Sequence, residues 1–432
     1  MKIYRSPDSA TRAALLRRPE FPADRVVETV AGIVADVRRR GDAALLGYTE
    51  RFDGVRLKTL RVSPAEMEAA EGQLPPELRT AIRTAADNIR RFHAAQRSVD
   101  LEVETMPGIV CQRKSVPLDS VGLYAPGGTA PLFSSVLMLG IPARLAGCGR
   151  VFLCSPPNPD GTLPPAILFA ARVAGIDEVY KLGGAQAIAA MAFGTETLPR
   201  AAKICGPGNR YVTAAKERVR DLGTAIDMSA GPSEVLVVAD RFADPGFVAA
   251  DLLSQAEHGP DSQVVLVTDD AELPERVLEQ VEVLLPKLPR AEVARAALKS
   301  SFVLICENLE EALDFSNDYA PEHLILALRE ADRWAEAVRN AGSVFLGNFT
   351  PESAGDYASG TNHTLPTGGT ARAASGVSLD TFLKKITFQR ISAAGLERLG
   401  PTVETMATAE GLTAHRLAVS LRLEAIKTTA YV

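Results

Sequence analysis

SEVLVVADRFADPGFVAADLLSQAEHGPDSQVVLVTDD, residues 233–270, decides the fold class. SEVLVVAD (233–240) is a short, nearly unbroken apolar run, the pattern of a strand buried on both faces. FVAADLL (247–253) opens an apolar helical run that Gly259 and Pro260 stop. SQVVLVTDD (262–270) is a second buried strand. Strand, helix and strand in this order predict a parallel sheet with a crossover helix. Gln255 and His258 stand three apart at the end of that helix, so they share one face. The plain reading of the pair is a polar helix end; the alternative is that the two side chains hold something.

The same alternation extends in both directions. Downstream come helix LPERVLEQVEVLLPKL, strand SFVLICEN, helix LEEALDFSNDY, strand HLILAL, helix EADRWAEAVRNAG and strand SVFLG. Upstream, a separate series starts at VGLYAPGG (121–128). It runs through helix 131–147, strand RVFLCSP, helix PPAILFAARVAG, strand EVYKLGG, helix AQAIAAMAFG and strand AKICGPG. Two such series predict two α/β domains with parallel sheets. Residues 1–50 and 77–99 read as helices that must pack on one of them, and the pattern after residue 376 reads as helical to the end.

Bulk properties narrow the function. The chain has 432 residues, with 47 Lys and Arg against 53 Asp and Glu, a net charge of −6. No global basic field invites nucleic acid or an anionic membrane. The N-terminal MKIYRSPDSATRAALLRRPEF lacks the apolar core of a signal peptide, and PLFSSVLMLGIPARLAG (131–147) is interrupted by Ser, Pro and Arg. The second stretch reads as a buried helix. Cys111, Cys148, Cys154, Cys205 and Cys306 form no CxxC pair and read as small core residues in a reducing cytoplasm.

Histidine is scarce, and four of the five sit at connections: His258, His323, His363 and His415. His93 reads as a surface or packing residue of its helix. The loop FTPESAGDYASGTNHTLPTGG (349–369) carries Asp356 and His363, and EGLTAH carries Glu410 and His415. Imidazole, carboxylate and amide oxygen together suit a hard or borderline cation. Gln, Asp and two His would neutralise one of zinc's two charges and leave it Lewis acidic. Glu322 and His323 are adjacent, so in a regular strand they would face opposite ways. Both can serve one pocket only if Ala-Pro-Glu-His is still loop, which Pro321 favours; they could then share general-base work. A GxGxxG fingerprint is absent. Tyr124–Thr129 and Gly206-Pro207-Gly208-Asn209 are glycine loops beside helices, able to bind phosphate or simply to turn the chain. The same residues also suit a zinc hydrolase with Glu322 activating water, or a metal-stabilised interaction protein.

DLLSQAEHG, APEHL, SAGDYASGTNHTLPT and EGLTAHR, with GLYAPGGTAPLFSSVLM, GGAQAIAA, GPGNRYV and MSAGPSE, closely resemble the signatures of the histidinol dehydrogenase family. The resemblance runs essentially the whole chain. It implies a four-electron oxidation of L-histidinol through L-histidinal to L-histidine, with one Zn²⁺ per subunit and NAD, at the end of histidine biosynthesis. Gln255, His258, Asp356 and His415 match the zinc ligands; Glu322 and His323 match the catalytic acid–base pair. Ser233, His363 and Glu410 match substrate-side positions, where His323 and the zinc ligands also contribute. Tyr124, Gln186 and Asn209 match the dinucleotide site. In the implied mechanism His323 takes the alcohol proton, Glu322 activates the water that hydrates the aldehyde, and His323 acts again. The expected architecture is two incomplete Rossmann-like parallel-sheet domains: 26–122 with 234–376, and 123–233. An N-terminal helical segment (1–25) and a helical tail (377–432) flank them. The family further implies a cytoplasmic homodimer in which the tail crosses into the partner's active site. A relative acting on another amino alcohol or diol would carry much the same residues.

Overall fold

Two parallel sheets of mostly buried strands form the core of the computed structural model, which describes residues 1–19, 24–127, 131–228 and 231–428. In chain order the strands are β1 (Lys2–Arg5), β2 (Leu101–Met106), β3 (Ile109–Pro117), β4 (Ser120–Tyr124) and β5 (Arg150–Ser155). There follow β6 (Glu178–Lys181), β7 (Lys203–Cys205), β8 (Ala225–Ile226), β9 (Glu234–Ala239) and β10 (Gln263–Thr268). The last are β11 (Phe302–Ile305), β12 (His323–Ala327), β13 (Ser343–Leu346) and β14 (Leu383–Ile391). Gly128 and Thr129 of the first glycine loop, and Ser229 and Ala230 of MSAGPSE, lie outside the described residues.

The chain divides into two units, Met1–Gln96 with Leu118–Phe382, and Arg97–Pro117 with Leu383–Val432. The first unit holds two parallel sheets. One has the order β6-β5-β4-β7-β8, the other β1-β11-β10-β9-β12-β13. Every residue of β9, β10 and β12 is buried, as unbroken apolar strands covered by helices on both faces should be. Within each series the strand order is 3-2-1-4-5, so the direction reverses between β4 and β7 and between β9 and β12. Helix Phe133–Ala146 buries ten consecutive residues, and no helix among the described residues is long and apolar enough to cross a membrane. All five cysteines are free, and burial pushes the Cys154 and Cys205 thiols far up, which makes them inert packing groups.

Three features depart from the sequence reading. Residues 1–25 were expected to be helical, yet Lys2–Arg5 adds β1 to the edge of the six-stranded sheet. Four residues are too few to show a period. Residues 26–122 were grouped with 234–376, but helix Asp24–Arg40 lays Val30, Ile33, Val34 and Val37 against Ile188, Met191, Val212 and Val219 beside the five-stranded sheet. Helix Pro76–Ala94 packs Ile82, Ala86 and Ile89 into the core of that same sheet. Helical spacing identifies an apolar face, not the surface that will cover it. The tail begins with β14, not with a helix: LKKITFQRI pairs antiparallel with β3 along nine positions, and β2 completes a three-stranded sheet. Helices Ala393–Ala409 and Thr413–Thr428 follow in the same unit, with Gly400 against Leu423 where they cross.

Gly206, just past β7, has φ +142°, and a Cβ there would lie 2.1 Å from the Tyr124 carbonyl oxygen at the end of β4. Buried Lys216 and Asp227 grip it: Lys216 Nζ donates to its carbonyl at 2.9 Å and its N–H donates to Asp227 at 2.8 Å. Gly54 also has positive φ, +71°, but open space around it. Gly206→Ala should therefore cost about 3 kcal/mol or more, against about 1 kcal/mol for Gly54→Ala. Equal shifts in the denaturation midpoints of the two variants would show that the close approach at Gly206 carries no energy.

Candidate active site

The candidate residues converge at the N-terminal edge of the six-stranded sheet. Helix Pro245–Ala256 begins with a proline under an Asp244 cap and runs back from the end of β9 toward the start of β10. It delivers Gln255, fully buried, to that edge, and His258 follows two residues beyond the helix, exposed to solvent. Ser233 lies half-buried before β9, its carbonyl accepting from Gln263 N–H at 3.2 Å. Ala320 ends helix Leu309–Tyr319 in the left-handed region at φ 52°. That turn swings Pro321 and Glu322 into the sheet edge before β12 starts at His323. Glu322 is outside the strand, so the two side chains reach one pocket: His323 Nδ1 lies 3.6 Å from Glu322 Oε2, and both residues are buried.

Short helix Glu352–Tyr357 supplies the other wall. Glu352 and Asp356 are four apart and face the same way. Asp356 Oδ1 lies 3.3 Å from His323 Nε2. Ligand-capable atoms of His323, Glu352 and Asp356 all fall within 4.8 Å of one another. The Gln255 amide sits among these acids. One orientation donates to Glu322 Oε2 at 3.4 Å; turned over, its nitrogen donates to Glu352 and its oxygen accepts the Glu234 N–H at 2.9 Å, which satisfies both ends. His363 Nδ1 bonds the Asp356 carbonyl oxygen at 2.8 Å and its Nε2 lies 3.0 Å from Ser135 Oγ.

Burial is the main electrostatic fact here. It pushes the Glu322 carboxyl up to about 8, with the nearby His323 charge pulling the other way. Burial likewise lifts Glu352 well above the carboxylate range. Against its own desolvation, His323 is held above the ordinary histidine range by the Glu352, Glu322 and Asp356 carboxylates. Asp356 is only partly exposed, and desolvation pushes its carboxyl up, yet the close His323 imidazole and the charges of His323, His363 and His258 hold it below the usual value. Glu352 Oε2 is buried without a hydrogen-bond partner, and buried His323 Nε2 has only the Asp356 carboxylate, 3.3 Å away, outside good hydrogen-bond geometry. Three carboxyls, an amide and imidazoles around orphaned buried atoms are a donor set that suits a divalent cation.

Of the expected ligands, Gln255, His258 and Asp356 stand at this edge. His415 and Glu410 belong to the second unit, where both are exposed. Tyr124, Gln186 and Asn209 sit elsewhere in the first unit, at the C-terminal edge of the five-stranded sheet. Tyr124 ends β4 and its hydroxyl accepts the Gly184 N–H at 3.0 Å; Gln186 is buried in the first turn of helix Gly184–Phe193. Asn209 caps helix Arg210–Asp221, accepting from the N–H groups of Tyr211 and Val212. The sequence reading did not find Glu352, Glu234 or Arg18. Only the first left a signal: two acids four apart, hidden in a stretch read as loop.

The family model described as histidinol dehydrogenase matches residues 16–423. A curated histidinol dehydrogenase of Bacteroides thetaiotaomicron is 53% identical over 427 residues, covering 99% of this chain and all of that one. One of Xanthomonas axonopodis pv. citri is 56% identical over 418 residues, 96% of this chain and 97% of that one. The crystal structure of histidinol dehydrogenase from Elizabethkingia anophelis superposes with a TM-score of 0.97 at 52% identity, covering 99% of each chain. This likeness over nearly the whole length sets aside the hydrolase and interaction-protein readings. The chain belongs to the histidinol dehydrogenase family, the oxidoreductases of histidine biosynthesis.

Proposed function

We propose that the chain oxidises L-histidinol through L-histidinal to L-histidine with NAD and one zinc ion per subunit. The observation that carries this reading is the convergence of Glu322, His323, Gln255 and Asp356 at one buried sheet edge, in a chain of this family. Gln255, His258 and Asp356 would hold the metal, with His415 from a second copy as the fourth ligand; Tyr124, Gln186 and Asn209 would hold the dinucleotide. When bound, zinc supplies a Lewis-acidic anchor for the substrate's amino and imidazole nitrogens, and NAD accepts hydride.

The protein's own groups do the proton work. His323 Nδ1 lies 3.3 Å from the Glu234 carbonyl oxygen, which can only accept, so Nδ1 keeps its proton; Nε2, 3.3 Å from Asp356 Oδ1, is the nitrogen that would take the alcohol proton from the neutral form of the ring. Glu322, raised toward neutrality by burial, suits a base that activates water to hydrate the aldehyde. His323 then takes the proton of the hydrate. Ser233, His363 and Glu410 line the substrate. Retaining the aldehyde until it is oxidised protects a reactive intermediate.

We further propose a cytoplasmic homodimer in which the tail of one copy completes the site of the other. In the tail, Met406, Leu412, Leu417 and Leu421 are 60%, 44%, 46% and 61% exposed, and helix Thr413–Thr428 buries none of its residues. Apolar residues clustered on a paired-helix surface are supported best by a second copy covering them.

Chelation should abolish turnover and Zn²⁺ should restore it; Asp356→Asn, which removes the sole anionic ligand, should lose zinc on dialysis. Full metal content and activity in that variant, measured by elemental analysis and NAD reduction, would rule out the ligand assignment. Glu322→Gln should slow oxidation of supplied L-histidinal more than oxidation of L-histidinol, by about 10²–10⁴-fold as for loss of a general base. Equal slowing of both steps would remove the water-activating role. Finally, Glu322→Gln and His415→Ala homodimers should each be nearly inactive. Refolded together, half the dimers are mixed, each with one intact site in two, so activity should return to roughly a quarter of wild type. No recovery, with mixed dimers present, would mean that each site is built from a single chain.

A further inference from the structure

We propose that Arg18 and Glu234 are positioning residues that hold the catalytic pair from behind; this rests on the reading of Glu322 and His323 as that pair. Glu234, the first residue of β9, is 2% exposed and touches both members. Its N–H donates to Glu322 Oε2 at 2.9 Å, and its carbonyl oxygen lies 3.3 Å from His323 Nδ1. Its carboxylate reaches back: Oε1 accepts the Glu322 N–H at 3.3 Å and the Gly368 N–H at 3.1 Å, the latter from the loop that follows His363.

A buried carboxylate beside Glu322 needs a cation, and Arg18 supplies it from more than two hundred residues away. Nε donates to Oε2 at 2.7 Å and Nη2 to Oε1 at 2.9 Å, the two-pronged geometry a guanidinium makes and an ammonium cannot. The same Nη2 donates to the Tyr319 carbonyl at 2.7 Å and lies 3.5 Å from that of Ala320. The guanidinium lies 3.4 Å from the Tyr319 ring centroid, and the Tyr319 hydroxyl donates to Gln263 Oε1 at 2.7 Å at the start of β10.

These contacts meet at a strained turn. Ala320 adopts φ 52°, a conformation that costs a non-glycine residue of order 1–2 kcal/mol and persists only where its surroundings fix it. That turn aims Glu322 off the strand and into the pocket. Arg18 grips its carbonyls and, through Glu234, the amide of Glu322 itself. One guanidinium therefore ties together the starts of β9, β10 and β12, and with them the geometry of both proton-transfer groups.

The test uses zinc-loaded full-length enzyme with Arg18→Ala, Arg18→Lys, Glu234→Gln and Glu322→Gln. Expected for Arg18→Ala is a kcat loss of about 10²-fold, the scale of a small misplacement of catalytic groups. The KM for NAD and the zinc content should stay unchanged. Arg18→Lys should fall between it and wild type, and guanidinium ion at non-denaturing concentration should restore much of the Arg18→Ala activity. Glu234→Gln should also lose kcat, without rescue. If Arg18→Ala does not fold, Arg18→Lys and Glu234→Gln carry the test. A kcat within twofold of wild type in folded variants overturns the proposal. So does a loss that tracks the unfolded fraction and ignores guanidinium. Full activity in Glu322→Gln would instead bring down the underlying assignment of the pair.

Discussion

The parallel pairing of β9 with β12 is the constraint on which the site depends. Its register sets His323 opposite Val235, which leaves Glu322 and Glu234 side by side where the two strands begin. Backbone groups that would otherwise be unpaired at a sheet edge are thereby aimed at two side chains. In open α/β sheets ligands ordinarily gather outside the C-terminal ends of the strands, where the order reverses. In the five-stranded sheet, Tyr124 and Asn209 flank that position, at the β4–β7 reversal. The six-stranded sheet presents its candidate site at the opposite edge, because a returning helix brings Gln255 there and because Ala320 turns the chain before β12.

Electrostatics sets this edge apart from the rest of the sheet. Glu322, Glu352 and Asp356 crowd one imidazole in a region with little water. Without a cation, burial and the neighbouring acids favour a protonated Glu352, while His323 and Asp356 support each other's charge. Glu234 would add a fourth acid next to Glu322 were it not matched by Arg18, since an unpaired buried charge costs several kcal/mol. The pocket thus separates two kinds of carboxylate: one matched by a fixed guanidinium, the others short of positive charge.

What the sequence reveals and hides follows from the range of each interaction. VLVV in β9 and VVLV in β10 announce themselves, because burial on both faces leaves an unbroken apolar run. The spacing of Gln255 and His258 on one helix end is equally local. LKKITFQRI does not read clearly as a strand, since its faces are mostly exposed and its partner β3 lies far back in the chain. Glu352 stayed hidden because a six-residue helix inside a Gly- and Ser-rich stretch looks like loop. Arg18 had no local signal at all: its role exists only where β9, the Ala320 turn and the N-terminal segment meet. The long family signatures supplied the roles that short motifs could not.

His363 links the candidate edge of the six-stranded sheet to helix Phe133–Ala146 beside the five-stranded one. Helix Phe133–Ala146 follows β4 in the chain, and Ser135 lies buried in its first turn. His363 meets Ser135 with Nε2 and the Asp356 carbonyl oxygen with Nδ1. A backbone carbonyl only accepts, so Nδ1 must carry the proton, and with a neutral ring Nε2 accepts from the serine hydroxyl. That needs a neutral ring, and the surrounding burial keeps His363 below the ordinary histidine value. Asp356 in turn touches His323. A neutral histidine of fixed tautomer thus ties the Asp356 segment to helix Phe133–Ala146 without adding charge to a pocket already crowded with it.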